Sequence, residues 1–265
     1  MNDFISRYGE WALIAGGAEG IGAAFSSALS AQGMNLVLSD FNASAMNSLA
    51  DGLEKKYNIK TIRLHQDLSE ENAFRECMDA IKETEVRLFV YVPAFSPVGK
   101  FAGYTSEELD HFLSLNIRTP VHFIHEFLHQ RKNKNKCGII LMSSLAGLLG
   151  PALVATYAAS KAFQIVLSES LFYELKAENV DIIACCAGPV DTPTYRKSNP
   201  VNQSKAISIQ QPEEVAAYAL KMLGKKPICI SGWKNRMFYF ILTRIVPRKL
   251  SGSLVSKSML KMYPN

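Results

Sequence analysis

The side chains best suited to chemistry in this sequence are Tyr157 and Lys161, which lie four residues apart. On a helix they would share one face, so an ammonium group would lie near a phenol. A free tyrosine has a pKa of about 10, and a neighbouring positive charge favours the phenolate. The pair therefore predicts a tyrosine acid/base catalyst near neutral pH, although a packed tyrosine beside an exposed lysine gives the same spacing. Ser143 and Ser144 follow the apolar run 139–142 and would add a hydroxyl group to the site.

Asn116 lies in a predicted helix whose hydrogen bonding is interrupted. The helix runs from 105 to about 130 and begins with a capping box, and Pro120 follows four residues after Asn116. Proline has no N–H group, so the carbonyl oxygen of Asn116 would lose its helical partner. That oxygen would either hold a water molecule between Asn116 and Lys161, as a proton exit, or belong to a simple kink. The sequence leaves both alternatives open.

A glycine-rich turn near the start of the chain suits the phosphates of a nucleotide. The apolar run 11–15 predicts a buried strand, the alanine-rich segment 23–31 predicts a helix, and Gly16, Gly20 and Gly22 lie between them. Glycine lets the backbone turn sharply and approach a pyrophosphate, and the helix directs free N–H groups at that anion. This order of elements predicts a dinucleotide site, with an ordinary turn between strand and helix as the alternative.

Acidic residues indicate the type of dinucleotide. A second apolar run, 35–39, ends in Asp40, where a carboxylate can accept a hydrogen bond from a ribose 2′-hydroxyl and repel a 2′-phosphate. Glu19 adds a second negative charge inside the glycine turn, and no lysine or arginine occurs between Asp40 and Lys55. The sequence therefore favours NAD over NADP.

The elements around these groups alternate between strands and helices. Apolar runs that predict strands begin near residues 11, 35, 59, 86, 138, 180 and 227, with helical patterns between them. Such alternation predicts a parallel sheet covered by helices on both faces. The chain has 265 residues, 48% of them hydrophobic, and no linker or repeat. It therefore predicts one α/β domain built on a doubly wound parallel sheet of the Rossmann type.

With these motifs in their order, the chain resembles the short-chain dehydrogenase/reductase family from its start to about residue 233. Ser144, Tyr157 and Lys161 have the spacing of the family's catalytic residues, and Asn116 matches its helix asparagine. The resemblance implies that Tyr157 exchanges the proton, that Lys161 lowers its pKa and holds the nicotinamide ribose, and that Ser144 hydrogen-bonds the substrate oxygen.

The resemblance also implies which residues bind the cofactor. Asp67 and Leu68 match the pair that holds adenine, and Val190 and Thr192 belong to the stretch 188–192 that holds the nicotinamide carboxamide. The implied cofactor residues are Gly16, Gly20, Ile21, Gly22, Asp40, Asp67, Leu68, Ala94, Tyr157, Lys161, Pro189, Val190 and Thr192.

One segment departs from the family's pattern. The family usually has Asn-Asn-Ala-Gly after its fourth strand, whereas this chain has Val92-Pro93-Ala94-Phe95. Phe95 would crowd the adenosine side of the cofactor site, and Pro93 lacks a backbone donor. The segment supports an alternative function, that of an NAD-binding regulatory or scaffold protein with little turnover. The complete catalytic set argues against that alternative.

Positive charge is concentrated near the C-terminus. No acidic residue follows Glu214, whereas ten lysines and arginines do, so residues 1–214 carry a net charge of −5 and the later ones account for the overall +5. We predict a catalytic domain over 1–232 and a basic amphipathic extension over 233–265.

The extension predicts two helices within 235–263, broken near Pro247. In the second helix four apolar residues would lie opposite two lysines, namely Val255, Met259, Met262 and Tyr263 opposite Lys257 and Lys261. This pattern is typical of a helix on an anionic membrane surface. Packing beside the substrate cleft or against a second subunit is the simpler alternative.

Other features exclude classes of function. The five cysteines and the helix-face histidines His122, His125 and His129 have no metal-ligand spacing, so no metal site is predicted. An odd number of cysteines without a leader segment predicts a cytoplasmic protein, with the tail allowing a position at the membrane surface. No nucleic-acid-binding motif accompanies the basic tail.

These features predict an NAD-preferring oxidoreductase that acts on a secondary alcohol or ketone, assembled as a homodimer or homotetramer. The polar stretch 193–211 would be a mobile substrate loop. An apolar pocket for a lipid-like, steroid-like or acyl substrate would be formed, unless its members are ordinary core, by Phe95, Leu145, Leu148, Leu149 and Tyr195.

Overall fold

Seven parallel strands form one sheet at the centre of the protein, in the order β3-β2-β1-β4-β5-β6-β7. The structure is a computed structural model that describes residues 3–131, 134–198, 200–201 and 208–264. The strands are β1 Trp11–Ala15, β2 Asn35–Asp40, β3 Thr61–His65, β4 Val86–Tyr91, β5 Cys137–Ser144, β6 Val180–Ala187 and β7 Ile228–Ile230. The predicted doubly wound parallel sheet is confirmed.

Helices connect the strands and cover both faces of the sheet. They are α1 Asp3–Tyr8, α2 Gly20–Ser30, α3 Ala43–Tyr57, α4 Ala73–Ala80, α5 Ser106–Leu113, α6 Thr119–His129, α7 Ala155–Glu174, α8 Pro193–Lys197, α9 Pro212–Met222, α10 Trp233–Phe240 and α11 Arg248–Met262. Helix α2 begins three residues earlier than predicted, which brings Gly20 and Gly22 into its first turn.

Alternate residues of the central strands enter separate cores on the two faces of the sheet. In β1, Ala12 and Ile14 pack in the core that includes α2, α3 and α9. Leu13 and Ala15 pack in the core that includes α4, α6 and α7. Both faces of the sheet are therefore buried, and the polar groups that end the strands emerge at one edge, where a site can form.

The helix predicted over 105–130 is one helical rod with an irregular turn at its centre. The predicted capping box is confirmed, since the Thr105 hydroxyl accepts from the Glu108 N–H and the Glu108 carboxylate accepts from the Thr105 N–H. A five-residue π-helical segment, Ser114–Arg118, joins α5 to α6. Asn116 lies in this wide turn, a feature that is common at functional sites.

The C-terminal extension folds as the two predicted helices. Helix α10 continues through a π-helical segment, Ile241–Ile245, and the chain turns at Pro247 into α11. Tyr239, Leu242 and Val255 pack in a third core with residues that follow β5. The apolar face predicted for membrane contact on the second helix is therefore turned toward the protein, with Val255 and Met262 buried. No helix among the described residues is both long enough and apolar enough to cross a bilayer.

Candidate active site

The glycine turn lies at the carboxyl end of β1, packed against the segment that follows β4. Gly16 has a φ of +71°, and a Cβ at this position would lie 2.9 Å from Cγ of Pro93. A Cβ on Gly22 would overlap the carbonyl oxygen of Gly16, so α2 can approach the turn this closely only through a glycine. A narrow turn at a helix N-terminus is the cradle that a pyrophosphate requires.

The segment after β6 closes the other side of this turn. A Cβ on Gly20 would lie 3.0 Å from Cγ2 of Thr192, and the Thr192 hydroxyl accepts from the Tyr195 N–H to cap α8. Val190 is buried beside Thr192. The predicted phosphate turn and the predicted nicotinamide segment therefore meet in space.

Asp40 ends β2 with its carboxylate turned toward the glycine turn. It is 7% exposed, and its two oxygens accept hydrogen bonds from the N–H groups of Ala18 and Asn42 at 2.9 and 3.0 Å. On the neighbouring strand, Arg63 is paired with Asp51 and Glu54. Asp40 thus holds a fixed negative charge beside the turn, as a ribose partner requires.

Asp67 and Leu68 follow β3 and are fixed from two sides. Burial alone would raise the pKa of Asp67, but hydrogen bonds from the hydroxyl and N–H of Ser69 outweigh it and lower the pKa. The Thr119 hydroxyl donates to the carbonyl oxygen of Leu68 at 2.8 Å. Asp67 and Leu68 are therefore ordered, and they place a negative charge at the carboxyl end of the sheet.

The unusual segment Val92-Pro93-Ala94-Phe95 is well anchored. The Asn116 side chain accepts from the Phe95 N–H at 2.9 Å and donates to the Phe95 carbonyl oxygen at 2.8 Å. The Phe95 ring meets His111 edge-on at 4.8 Å between centroids. Asn116 thus acts on the site through the backbone of this segment, and the proline and phenylalanine are accommodated without breaking the sheet edge.

Tyr157 and Ser144 face each other across the end of β5. Burial raises the pKa of Tyr157, while a hydrogen bond with the Ser144 hydroxyl lowers it by less. The Lys161 ammonium lies 5.7 Å from the centroid of the Tyr157 ring. The pKa of Tyr157 is therefore raised overall rather than lowered as predicted, because the cost of burying a phenolate exceeds what the hydrogen bond offsets.

Lys161 is 2% exposed, and its ammonium group has two protein acceptors. It donates to the carbonyl oxygen of Met142 at 2.7 Å and to Oε1 of Gln164 at 3.1 Å. Burial lowers its pKa from the usual value to about 7, which the negative charge of a Cys186 thiolate would oppose. The lysine is thus balanced between its charged and neutral forms near neutral pH.

The carbonyl oxygen of Asn116 has a protein partner that neither predicted alternative included. Its carbonyl oxygen accepts from Nε2 of Gln164 at 3.3 Å, so a side-chain amide connects Asn116 to Lys161. Gln164 is fully buried. The sequence analysis did not select this glutamine, although its position three residues after Lys161 on the same helix was the available signal.

A buried polar cluster behind the segment 188–192 was also missed. Oε1 of Gln210 accepts from the Ser231 hydroxyl and from Nδ2 of Asn235, at 2.7 and 3.1 Å. The Gln210 backbone bonds to Pro189 and Asp191 on either side of Val190. Asn235 of the extension therefore supports the segment that is predicted to hold the nicotinamide, through a glutamine from another part of the chain.

A cleft with a volume of about 660 Å³ opens between the segment after β4 and the C-terminal end. Its lining is mostly apolar, with Lys197 as its cationic member, and consists of residues 94–99, Leu153, Thr194, Lys197, Ser198, Val201, Met262, Tyr263 and Pro264. Ser198 Oγ lies 2.9 Å from the Tyr263 hydroxyl, and the Val201 N–H donates to the Met262 carbonyl oxygen. The tail thus forms one wall of the cleft.

This lining corrects the predicted apolar pocket in part. Phe95 lines the cleft, and Tyr195 lies in α8, which contributes to its wall. Leu145 and Leu149 are buried in the core beneath the tail helices, with Leu148 packed against it. Helix α8 begins the predicted mobile loop 193–211, which falls partly outside the described residues.

The cysteines and histidines form no metal centre in the part of the chain that the structure describes. The five cysteines are buried thiols. His125 and His129 contact each other at 3.1 Å on the surface of α6, and His122 stacks on Phe74.

Comparisons with known proteins agree with this geometry. The model of the short chain dehydrogenase family matches residues 10–203. A 7beta-hydroxysteroid dehydrogenase of Clostridium sardiniense is 29% identical over 234 residues, which cover 88% of this chain and 90% of the relative.

Solved structures show the same fold. A structure described as giving insights into 7beta-hydroxysteroid dehydrogenase stereoselectivity aligns with a TM-score of 0.89 and 25% identity, covering 96% of this chain and 99% of the other. A short-chain dehydrogenase from Sphingobium yanoikuyae in complex with NADPH aligns with a TM-score of 0.75 and 19% identity, covering 83% and 86%. The second likeness concerns the fold alone.

Proposed function

The chain belongs to the short-chain dehydrogenase/reductase family, and from this premise we propose that it interconverts a secondary alcohol and a ketone on an apolar, steroid-like substrate. The observation that carries the proposal is the meeting of Tyr157, Ser144 and Lys161 at the carboxyl end of β5. The apolar cleft and the likeness to hydroxysteroid dehydrogenases support the substrate class. We take residues 1–232 as the catalytic domain and 233–265 as its extension.

The residues of the site divide the chemistry between them. A bound nicotinamide supplies or accepts the hydride, and the protein supplies or accepts the proton. In the reducing direction the Tyr157 hydroxyl donates its proton to the substrate oxygen, which becomes the alcohol. The raised pKa of Tyr157 keeps the proton on its hydroxyl until negative charge develops on the substrate oxygen, which is then the stronger base. Ser144 donates a hydrogen bond to the same oxygen, and Lys161 carries the positive charge that favours the resulting phenolate.

The residues of the sheet edge fit a dinucleotide. The glycine turn of Gly16, Gly20, Ile21 and Gly22 would hold the pyrophosphate at the start of α2. We propose that Asp67, Leu68 and Ala94 border the adenine, and that Pro189, Val190 and Thr192 border the nicotinamide. Asp40 supports NAD over NADP, because a 2′-phosphate would approach a carboxylate that is already buried and fixed.

Replacement of Tyr157 by phenylalanine tests the proposed function. The change removes the proton donor and keeps the ring, so turnover with a screened ketone should fall by at least about a hundredfold while NAD binding by calorimetry stays within about twofold. Tyr57→Phe, at the C-terminal end of α3, is the matched control. If the intact protein reduces no ketone in a broad apolar library, the result would favour the alternative of an NAD-binding regulatory protein. If Tyr157→Phe retains most of its turnover, Tyr157 is not the proton donor.

A second copy of the chain is the partner we propose for α7. Phe163, Val166 and Tyr173 lie at helical spacing on this helix and are 39%, 61% and 67% exposed. Single exposed apolar side chains are common, but three on one helix face favour a subunit contact. A homodimer or homotetramer would cover this face.

An anionic membrane is the partner we propose for the extension. Five apolar side chains at helical spacing along one face of α10 and its continuation are 39–66% exposed, namely Trp233, Met237, Phe240, Ile241 and Ile245. Lys234, Arg244 and Arg248 lie beside them, and the chain has no acidic residue after Glu214. An apolar stripe flanked in sequence by basic residues is complementary to anionic lipid headgroups.

Vesicle sedimentation tests this membrane contact with the full chain. Wild-type protein should pellet with phosphatidylglycerol vesicles, lose binding in high salt, and bind phosphatidylcholine vesicles weakly. Phe240→Glu should weaken binding by about tenfold or more, whereas Phe101→Glu, at a residue of similar exposure outside the tail, should not. Equal pelleting of both variants would refute the membrane contact and leave the tail a packing role.

A further inference from the structure

We propose that Gln164 is a positioning residue, whose side-chain amide fixes the Lys161 ammonium to the main chain of Asn116 and closes that path to proton transfer. The inference rests on the proposed function, in which Lys161 supports Tyr157. It is carried by a chain of contacts that crosses two helices. Lys161 Nζ donates to Gln164 Oε1 at 3.1 Å, and Gln164 Nε2 donates to the Asn116 carbonyl oxygen at 3.3 Å.

The site leaves the glutamine little freedom. Gln164, Asn116 and Lys161 are 0%, 0% and 2% exposed, so each unsatisfied polar atom would carry a large desolvation cost. Pro120 denies the Asn116 oxygen its usual helical donor, and the amide of Gln164 provides one instead. The orientation of the amide follows, because only its oxygen can accept from the ammonium and only its nitrogen can donate to the carbonyl.

The chemistry of an amide determines what this link can do. A water molecule or a hydroxyl group can accept one proton and release another, whereas a carboxamide in its ordinary form accepts only at oxygen and donates only at nitrogen. The link therefore holds the lysine in place without carrying a proton from Lys161 to Asn116. The proton that Tyr157 exchanges would then enter and leave where Tyr157 is partly exposed, beside the Ser144 hydroxyl.

The link also supports the charged form of the lysine. Two acceptors, the Met142 carbonyl and Gln164, oppose the loss of charge that burial favours. The titratable groups that face Lys161 are Tyr157 on its own helix and Cys186 on β6. Removing the Gln164 oxygen should therefore shift the lysine toward its neutral form.

Two substitutions separate a polar link from simple packing. Gln164→Leu conserves volume and removes both hydrogen bonds, while Gln164→Ala leaves room for water between an ammonium donor and a carbonyl acceptor. If Gln164 only fills space, leucine should be the milder change. If it is a polar link, alanine should be milder, with kcat within about threefold of wild type, and leucine should lower kcat by about tenfold.

The lysine itself provides a readout that is independent of turnover. With lysine labelled at Cε, an NMR titration should show a lower Lys161 pKa in Gln164→Leu and a higher one in Gln164→Glu, where a carboxylate replaces the amide. The high-pH limb of the pH profile of kcat, where the charged lysine is lost, should move in the same directions. Gln130→Leu, an exposed glutamine at the end of α6, should change neither quantity.

The outcomes distinguish this inference from the proposed function. An unchanged Lys161 pKa in both Gln164→Leu and Gln164→Glu, in protein that folds normally, would overturn the role of Gln164 even if the enzyme is active. A shifted Lys161 pKa in protein that reduces no ketone would support the link and overturn the proposed function. A kcat lower in Gln164→Ala than in Gln164→Leu would assign the residue to packing.

Discussion

Lys161 is the residue whose surroundings decide most about this site. A lysine at 2% exposure is rare in proteins, and it is retained here with two hydrogen-bond acceptors and no carboxylate partner among the described residues. Burial lowers its pKa to about 7, so the group is balanced near neutral pH. Such a balance is typical of functional lysines and costs stability whenever the folded protein carries the charge.

The pH dependence of stability should report this cost. The unfolded chain holds the Lys161 proton up to about pH 10, whereas the folded chain releases it above about 7. The penalty is therefore fully present below pH 7 and disappears as the pH rises through the window between these values. Lys161→Met removes this penalty. The free energy of unfolding of the variant should therefore exceed that of wild type most at low pH, and the difference should shrink by up to about 1.4 kcal/mol per pH unit between pH 7 and 10.

Urea unfolding at successive pH values measures this difference, and subtraction of the wild-type curve cancels the buried cysteines and tyrosines that titrate in the same range. Lys225→Met, at an exposed turn, is the control and should give a difference that is flat with pH. A flat difference for Lys161→Met would show that the lysine is charged or neutral in both states throughout the window.

Asp40 should set the choice between the two nicotinamide dinucleotides. One carboxylate near a phosphate costs on the order of a kcal/mol or more, so NAD should bind at least about tenfold more tightly than NADP. Asp40→Ala should narrow the gap by raising NADP affinity, while Glu19→Gln, at an exposed position of the same turn, should have a smaller effect. Calorimetric titration of both nucleotides decides the matter, and equal affinities for wild type would contradict the role of Asp40.

At the scale of single elements, the site depends on how closely three connecting segments approach one another. Gly16 contacts Pro93, Gly20 contacts Thr192, and Gly22 contacts the Gly16 backbone. These contacts join the ends of β1, β4 and β6 into one surface. The π-helical turn also holds the segment after β4 in place, because it directs the Asn116 side chain at the Phe95 backbone.

Gly22→Ala should therefore damage cofactor binding and the fold together. The added Cβ overlaps a backbone oxygen, so the turn must open and nucleotide affinity should fall by more than about tenfold, with a loss of stability of several kcal/mol. Gly52→Ala is the matched control, because nothing lies within 4 Å of its new Cβ on the exposed side of α3. It should stabilise the protein by up to about 1 kcal/mol. Thermal unfolding with and without NAD measures the stability and the NAD affinity of each variant. If Gly22→Ala matches wild type in both quantities, the close packing of Gly22 against Gly16 is contradicted.

At the scale of the whole molecule, two apolar surfaces lie on different elements and serve different proposed partners. Helix α7 presents Val166 and Tyr173, and the extension presents the stripe that begins at Trp233. The extension also supports the catalytic domain from within, through the core it shares with Leu145 and through the Asn235 contact with Gln210. Its loss would therefore affect the site as well as any surface it contacts.

Val166→Arg should dissociate the assembly. A buried arginine without a partner at a subunit contact costs several kcal/mol, so sedimentation velocity should show a shift from dimer or tetramer toward monomer. Met237→Arg, an equally drastic change on the extension, should leave the sedimentation coefficient unchanged. A monomeric wild-type protein, or dissociation by Met237→Arg alone, would assign the subunit contact to the wrong surface.

The sequence by itself determined the features that repeat locally. Apolar runs separated by helical patterns predicted the sheet, glycine spacing predicted the turn after β1, and the Thr105 capping box and the break at Pro247 fixed helix ends. Each of these depends on residues within about four positions of one another, where backbone geometry and hydrogen bonding are dictated by the neighbouring side chains.

Only the tertiary structure decided the surroundings of each functional group. Gln164 meets Asn116 across 48 positions of sequence, and Ser231 and Asn235 meet Gln210 across 21 and 25. The raised pKa of Tyr157 has the same origin. Desolvation depends on every atom packed around a group, and those atoms come from strands and helices that are distant in the chain, so spacing alone could identify the tyrosine and the lysine but not the balance of charge between them.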